Sequence, residues 1–155
     1  SPTTAAYYLN WAEYLSWSNS RIATTMQYLL LDPSERGPSQ FFSGLESSHG
    51  TPKPTLAAYR LPLFLPAPVT RRRHATVVWG CVRPAHYFSG AQIAQIQYRR
   101  GSHGRYVTVA KVRITDSRGY FETRLVFPAS GALRVVWSYP HGPSATSRVT
   151  PVTVH

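Results

Sequence analysis

Acidic residues are scarce in this chain: 6 Asp/Glu stand against 17 Lys/Arg in 155 residues. Residues 1–66 hold four of each sign, whereas residues 67–155 hold 13 Lys/Arg against Asp116 and Glu122 alone. The whole net charge of +11 therefore belongs to the second half, which implies two units with different surfaces. Cysteine is scarcer still. The single Cys81 excludes an intrachain disulfide, and its place in an alternating strand pattern makes it a buried apolar residue rather than a reactive thiol. There is no run of 18 apolar residues, so no helical membrane span is expected; LPLFLPAP is short and broken by proline. A charged n-region followed by an apolar h-region is also missing, and the sequence opens on Ser1, which reads as a processed chain or a fragment.

Catalytic spacings are missing too. His49, His74, His86, His103, His141 and His155 are scattered without an HExxH or paired CxxC pattern, so no metal site and no cofactor are expected. Ser43-Gly44 and Ser89-Gly90 lack the nucleophile-elbow pattern. Residues 100–105, RGSHGR, are glycine-rich without a phosphate-loop pattern and read as a hairpin turn with a basic tip. What remains suits a folded chain: 43% hydrophobic and 13% aromatic residues, with charged residues, at 15%, too few for a highly charged disordered segment.

Residues 1–17, SPTTAAYYLNWAEYLSW, predict a helix on which Glu13 is a solvated residue. From Ile22 to Leu31 the run is nearly continuously apolar and of strand length, the pattern of a strand buried on both faces in a parallel sheet. Asp32-Pro33 stops it, because proline donates no ladder hydrogen bond. A polar loop leads to residues 50–54, GTPKP, and then to a short helix over 55–61 closed by Pro62. The front of the chain thus reads αβα. Residues 65–70 form a proline-rich spacer, followed by Arg71-Arg72-Arg73, a solvated basic run.

The second half reads as all-β. Ala75, Val77, Trp79 and Cys81 alternate, as do Ile96 and Tyr98. Residues 106–115 are valine-rich and end in the turn Asp116-Ser117-Arg118-Gly119. Phe121, Leu125 and Phe127 point inward on the next strand. Leu133, Val135, Trp137 and Tyr139 do so on the one after, with Arg134 and Ser138 outward. Pro151 marks the last strand as an edge or a bulge. Six short strands at this spacing predict a β-sandwich with Trp79, Phe121 and Trp137 in its core.

The phrases YLNWAEYL, QYLLLDP and FFSGLESSHGTPKPTLAAYRLPL together resemble the last part of a (β/α)8-barrel glycoside hydrolase of the cellulase-like and xylosidase-like group. The resemblance covers about the first 65 residues. YVTVAKVRITDSRGYF, GALRVVWSYPHG and SRVTPVTV resemble immunoglobulin-like or fibronectin-type-III-like modules of secreted bacterial proteins. The fold class so implied is α+β: a terminal αβα barrel segment over residues 1–66, a basic linker over 67–74 and an all-β immunoglobulin-like sandwich over 75–155. The family's two catalytic glutamates belong to strands that precede this chain, so no catalytic residue is expected here. Gln27, Tyr28 and Asp32, at the end of the strand, are the residues the resemblance places near substrate, with a structural brace the first reading for Asp32 and core packing the first reading for Tyr28. It implies secretion, a carbohydrate partner and missing N-terminal barrel segments as packing partners. The alternative is a non-catalytic basic sandwich that binds an acidic glycan or cell-wall polymer. Nucleic acid is not the expected partner, since the chain has no nucleic-acid fold signature.

Overall fold

The computed structural model describes residues 1–34, 37, 40–83 and 90–155. His86 and Ser89, considered above, lie outside the described residues. The chain divides into two compact units, Ser1–Tyr59 and Arg60–His155.

In the first unit, α1 spans Pro2–Ser18. Proline costs nothing at the first helical position, and Ser1 caps the end by accepting from the Thr4 N–H at 3.3 Å. The buried face carries Ala6, Asn10 and Glu13 at helical spacing. Two of the three are polar. Asn10 is fully buried because its Nδ2 donates to the Ala58 carbonyl at 2.8 Å, near the end of α2 (Pro54–Arg60), whose last carbonyls have no intrahelical partner. Glu13 is buried as well, not solvated as its helical position suggests.

The strand expected over residues 22–31 does not form. Met26 and Tyr28 are 88% and 84% exposed, and Ile22, Leu30 and Leu31 are exposed too. Among the described residues this segment's only ladder contact is a parallel bridge between Leu31 and Glu46, made by Glu46 N–H to Leu30 O at 2.8 Å and Asp32 N–H to Glu46 O at 3.0 Å. A strand buried on both faces needs a neighbour on each edge and cover on each face, and here it finds neither. Among the described residues the αβα barrel segment is accordingly absent. These residues are mostly β, with two small helices, and the fold resembles an immunoglobulin-like sandwich.

The second unit builds two sheets. One has the order β1-β3-β6, from Leu63–Phe64, Ala75–Cys81 and Tyr120–Val126. The other has the order β2-β9-β7-β4-β5, from Val69–Thr70, Thr150–Val154, Gly131–Ser138, Ile93–Arg100 and Val107–Arg113. β8 (Ser144–Thr146) pairs with β7 beside β9. Ser147 makes the hand-over between them: its N–H donates to Val135 O, and its Oγ accepts from Val135 N–H at 2.8 Å. The turn into β6 is closed by Asp116, whose Oδ1 accepts from Arg118 N–H, while Gly119 supplies φ +87°. Within the stretch read as a linker, β2 pairs in parallel with β9, and Arg71 to His74 form a tight turn with His74 N–H on Arg71 O.

The core between the sheets contains Val78, Ile96, Phe121, Phe127, Leu133 and Trp137, together with Leu61, Leu63 and Leu65. Phe121 and Trp137 are where the alternation puts them. Trp79 is fully buried but stands on the opposite face of β3, since the core-facing residues are Val78 and Gly80, the latter paired with Phe121. There Trp79 stacks on Tyr120 with ring centroids 5.6 Å apart. Gly80 is required by close approach: a Cβ would meet Phe121 Cζ at 2.5 Å and Pro62 O at 2.7 Å.

Candidate functional site

Two surfaces, one in each unit, gather polar groups in a way that chemistry can use. In Ser1–Tyr59, a cleft of about 630 Å³ lies between α1 and the irregular segment that follows it. Its walls are Pro2, Ala5, Tyr8 and Leu9 from the helix, and Gln27, the residues 42–45, Lys53 and Thr55 from the rest. Gln27 is held in place by its own amide: Nε2 donates to Ser43 O at 2.7 Å and to Leu29 O at 3.2 Å. Asp32 lies behind the wall. Its Oδ1 accepts from Gly44 N–H at 3.0 Å, and its carboxylate takes Lys53 Nζ at 2.5 and 2.7 Å. Lys53 also donates to Phe42 O at 3.3 Å. Gly44 is needed here, because a Cβ would come within 2.6 Å of Asp32 N. Of the three residues picked out at the strand end, Gln27 thus lines the cleft, Asp32 braces it through Lys53, and Tyr28 projects into solvent. Lys53 and Thr55 were not picked out. Thr55 Oγ1 is shut off from solvent without a hydrogen-bond partner, and nothing in the sequence around it signals this.

In Arg60–His155, the outward face of the β7-β4-β5 sheet is basic. Register sets Gln97 opposite Arg134 on β7, and Gln95 opposite Lys111 on β5. A bulge between Ile96 and Gln97 shifts the β4–β5 pairing by one residue. Tyr106, just before β5, lies under two guanidiniums: Arg134 Cζ is 4.1 Å from its ring centroid and Arg99 Cζ is 5.1 Å. Arg134 Nε donates to Gln97 Oε1 at 2.8 Å. Arg99 Nε and the Tyr106 hydroxyl are both shielded from water and have no hydrogen-bond partner. Two like charges are thus bound to one ring, which offsets part of their repulsion through its π face. Neither of this unit's two acidic side chains is placed to neutralise them. Asp116 is ion-paired with Arg118 at 3.3 Å, and Glu122 stands on β6 of the other sheet.

Among the described residues no group of three or more His, Cys, Asp or Glu is placed to hold a metal ion. Cys81 is fully buried, with Sγ against Arg118 O at 3.5 Å.

No family model matches the chain, and no curated protein matches it. Solved structures do. The superoxide reductase (neelaredoxin) from Ignicoccus hospitalis superposes with a TM-score of 0.49 at 13% identity, covering 61% of this chain and 80% of its own. A variant of that protein gives 0.50 at 12% identity, over 65% and 86%. The sulfur carrier protein SoxY from Chlorobium limicola f thiosulfatophilum gives 0.42 at 15% identity, over 62% and 79%. At such identities the likeness speaks to fold alone, a small β-sandwich. The glycoside hydrolase resemblance is corrected by the fold itself: the second unit is a two-sheet sandwich and no barrel segment is present among the described residues, and the neelaredoxin variant that superposes at a TM-score of 0.50 agrees with this. Binding of an acidic glycan or cell-wall polymer gains no support from the solved structures either.

Proposed function

We propose that Arg60–His155 is a non-catalytic recognition module that docks an acidic polypeptide surface on the outer face of its β7-β4-β5 sheet. One observation carries this reading: Arg99 and Arg134 converge on Tyr106, and among the described residues neither acid of the unit pairs with them. Both side chains are only partly buried, so an incoming carboxylate meets two unneutralised guanidiniums and forms charge-assisted hydrogen bonds with them. The unit carries 14 Lys/Arg against two acids, so approach of an acidic partner is also favoured at a distance. Single-stranded nucleic acid fits this face less well. It needs open aromatic rings on which bases stack, and the ring of Tyr106 is already occupied by guanidiniums.

The test uses fluorescence anisotropy of the whole chain with labelled poly-glutamate and with oligo-dT, at several salt concentrations. Arg99→Gln combined with Arg134→Gln is expected to weaken poly-glutamate binding by about tenfold or more, as loss of charged hydrogen bonds implies. Arg71→Gln with Arg72→Gln, which removes the same charge from an exposed turn, is expected to change it about twofold. Equal losses in the two double variants, or tighter binding of oligo-dT than of poly-glutamate, would overturn the reading.

A further inference from the structure

Strand β5 ends its sheet, and among the described residues no strand pairs with its far side. We infer that this edge takes an extended segment of the acidic partner as an added strand, one in which acidic and apolar residues alternate. The inference rests on the docking proposed above and names the form the partner takes there.

The backbone carries the first part. Ile114 N–H donates to Gln92 O at 2.9 Å, just past the last ladder pair, Ile93 with Arg113. Hydrogen bonding alternates along an antiparallel pair, so Val112 and Ala110 also turn their N–H and C=O groups to β4. Those of Lys111 and Arg113 turn to the open side, where they form a row with which a further strand pairs. Side chains carry the second part. Ala110, Val112 and Ile114 pack against the core but are only partly buried. A strand laid beside them covers them further if it sets apolar residues on that face. Lys111 and Arg113 stand on the opposite face and are exposed, so acidic residues across from them form cross-strand ion pairs. Side chains of a strand change face at every residue, so the apolar and acidic positions of the added strand must alternate. Its acids then lie on the same outer face as Arg99, Arg134 and Tyr106, the last of which immediately precedes β5. A second copy of this chain is the wrong occupant, because its own β5 brings the same two cations to the junction.

The probes are two labelled peptides with the complete 155-residue chain, read by fluorescence anisotropy. One alternates glutamate with valine; the other has the same composition and charge, with the two residue types in separate blocks. The alternating peptide is expected to bind about tenfold more tightly. Only one edge of an added strand faces β5. The alternating peptide is therefore also made with N-methyl groups on every glutamate nitrogen, or on every valine nitrogen. One of these forms is expected to lose about tenfold or more and the other to keep its affinity. On the protein, Lys111→Gln removes a charge and is expected to weaken the alternating peptide about two- to threefold. Lys111→Pro removes that charge and the outward N–H, and is expected to bring the alternating peptide down to the affinity of the block peptide; proline is tolerated on an edge strand at such a position, and circular dichroism establishes folding. Equal affinities of the alternating and block peptides, or equal losses in the two N-methylated forms, would overturn strand addition. So would a dimer of the chain that Lys111→Pro dissolves. If strand addition fails while Arg99→Gln with Arg134→Gln still weakens both peptides, the acidic dock stands without it. If that double variant weakens neither peptide, both readings fall.

Discussion

Strand β7 offers two substitutions that differ by three positions and by face. Trp137 is 1% exposed, packs on Tyr139 with ring centroids 4.4 Å apart and donates Nε1–H to Gln92 Oε1 at 3.1 Å. Truncating a buried aromatic to alanine costs about 3–5 kcal/mol through lost transfer energy and the cavity left behind, and the lost indole donor adds about 1 kcal/mol. A small domain has about 5–15 kcal/mol in total. Trp137→Ala therefore leaves the sandwich marginal or unfolded. Arg134 faces outward and is half-buried; its losses are the Gln97 hydrogen bond and the contact with Tyr106. Removing it also relieves repulsion with Arg99, so Arg134→Ala is expected to cost about 1 kcal/mol or less. Urea melts of the full chain, followed by far-UV circular dichroism, compare midpoints at fixed slope. A larger loss for Arg134→Ala would mean that the strand faces the other way, because a slip of one residue exchanges the two faces.

Two further outcomes follow from the core. Gly80→Ala forces a methyl group against Phe121 and the Pro62 carbonyl, and overpacking of that kind costs about 1–3 kcal/mol; at about 4–8 °C per kcal/mol for a domain of this size, the calorimetric Tm should fall clearly, and an unchanged Tm would refute the packing described. Tyr98 is buried and donates to Ala129 O at 2.7 Å, and burial pushes its phenol above the ordinary value against opposing effects of Arg100 and that hydrogen bond. The folded form thus holds its proton longer than the unfolded form, so this stability is fully present below about pH 10 and is lost as pH rises through the folded value. Tyr98→Phe is expected to flatten the alkaline side of the stability curve, and an equally steep fall in that variant would count against it.

How far the sequence discloses this fold depends on whether a strand has one wet face. In β7, Leu133, Val135 and Trp137 alternate with Arg134 and Ser138, and the polar residues mark which side meets water. The same holds for Phe121 and Leu125 against Glu122 and Arg124 on β6. β3 ends in Val-Val-Trp-Gly-Cys, apolar on both sides, and both sides are buried. Alternation then has no polar marker, and the large ring of Trp79 attracts the wrong parity. Leu61, Leu63 and Leu65 are hidden for another reason. Pro62 and Pro66 interleave with them and suggest a helix stop and a spacer, yet these leucines fill the core from β1 and its flanks. The run 22–31 fails in the opposite sense, since its composition suits a buried strand but burial requires neighbours that a local pattern does not reveal. Only the barrel resemblance singles out Asp32, at the end of a strand that does not form. Its partners Gly44 and Lys53 lie 12 and 21 residues away, and only folding brings them together.

The cluster around Tyr106 shows why composition located the charge but not the site. Arginines are spread along the whole second unit, from the run Arg71-Arg72-Arg73 to Arg148, and many of them are exposed. Bringing Arg99 and Arg134 over one ring takes the β4–β7 register, which sets Gln97 against Arg134, and the bulge beside Gln97, which displaces β5 by one residue. That same β5 is the open edge of its sheet, with Val107 and Val109 exposed. An edge with exposed valines invites pairing with another copy. Lys111 and Arg113 oppose it: a second copy would bring the same cations to the junction, whereas an acidic segment would meet no such repulsion. Under the docking proposed above, the same positive charges that would oppose a second copy would attract a partner of opposite sign.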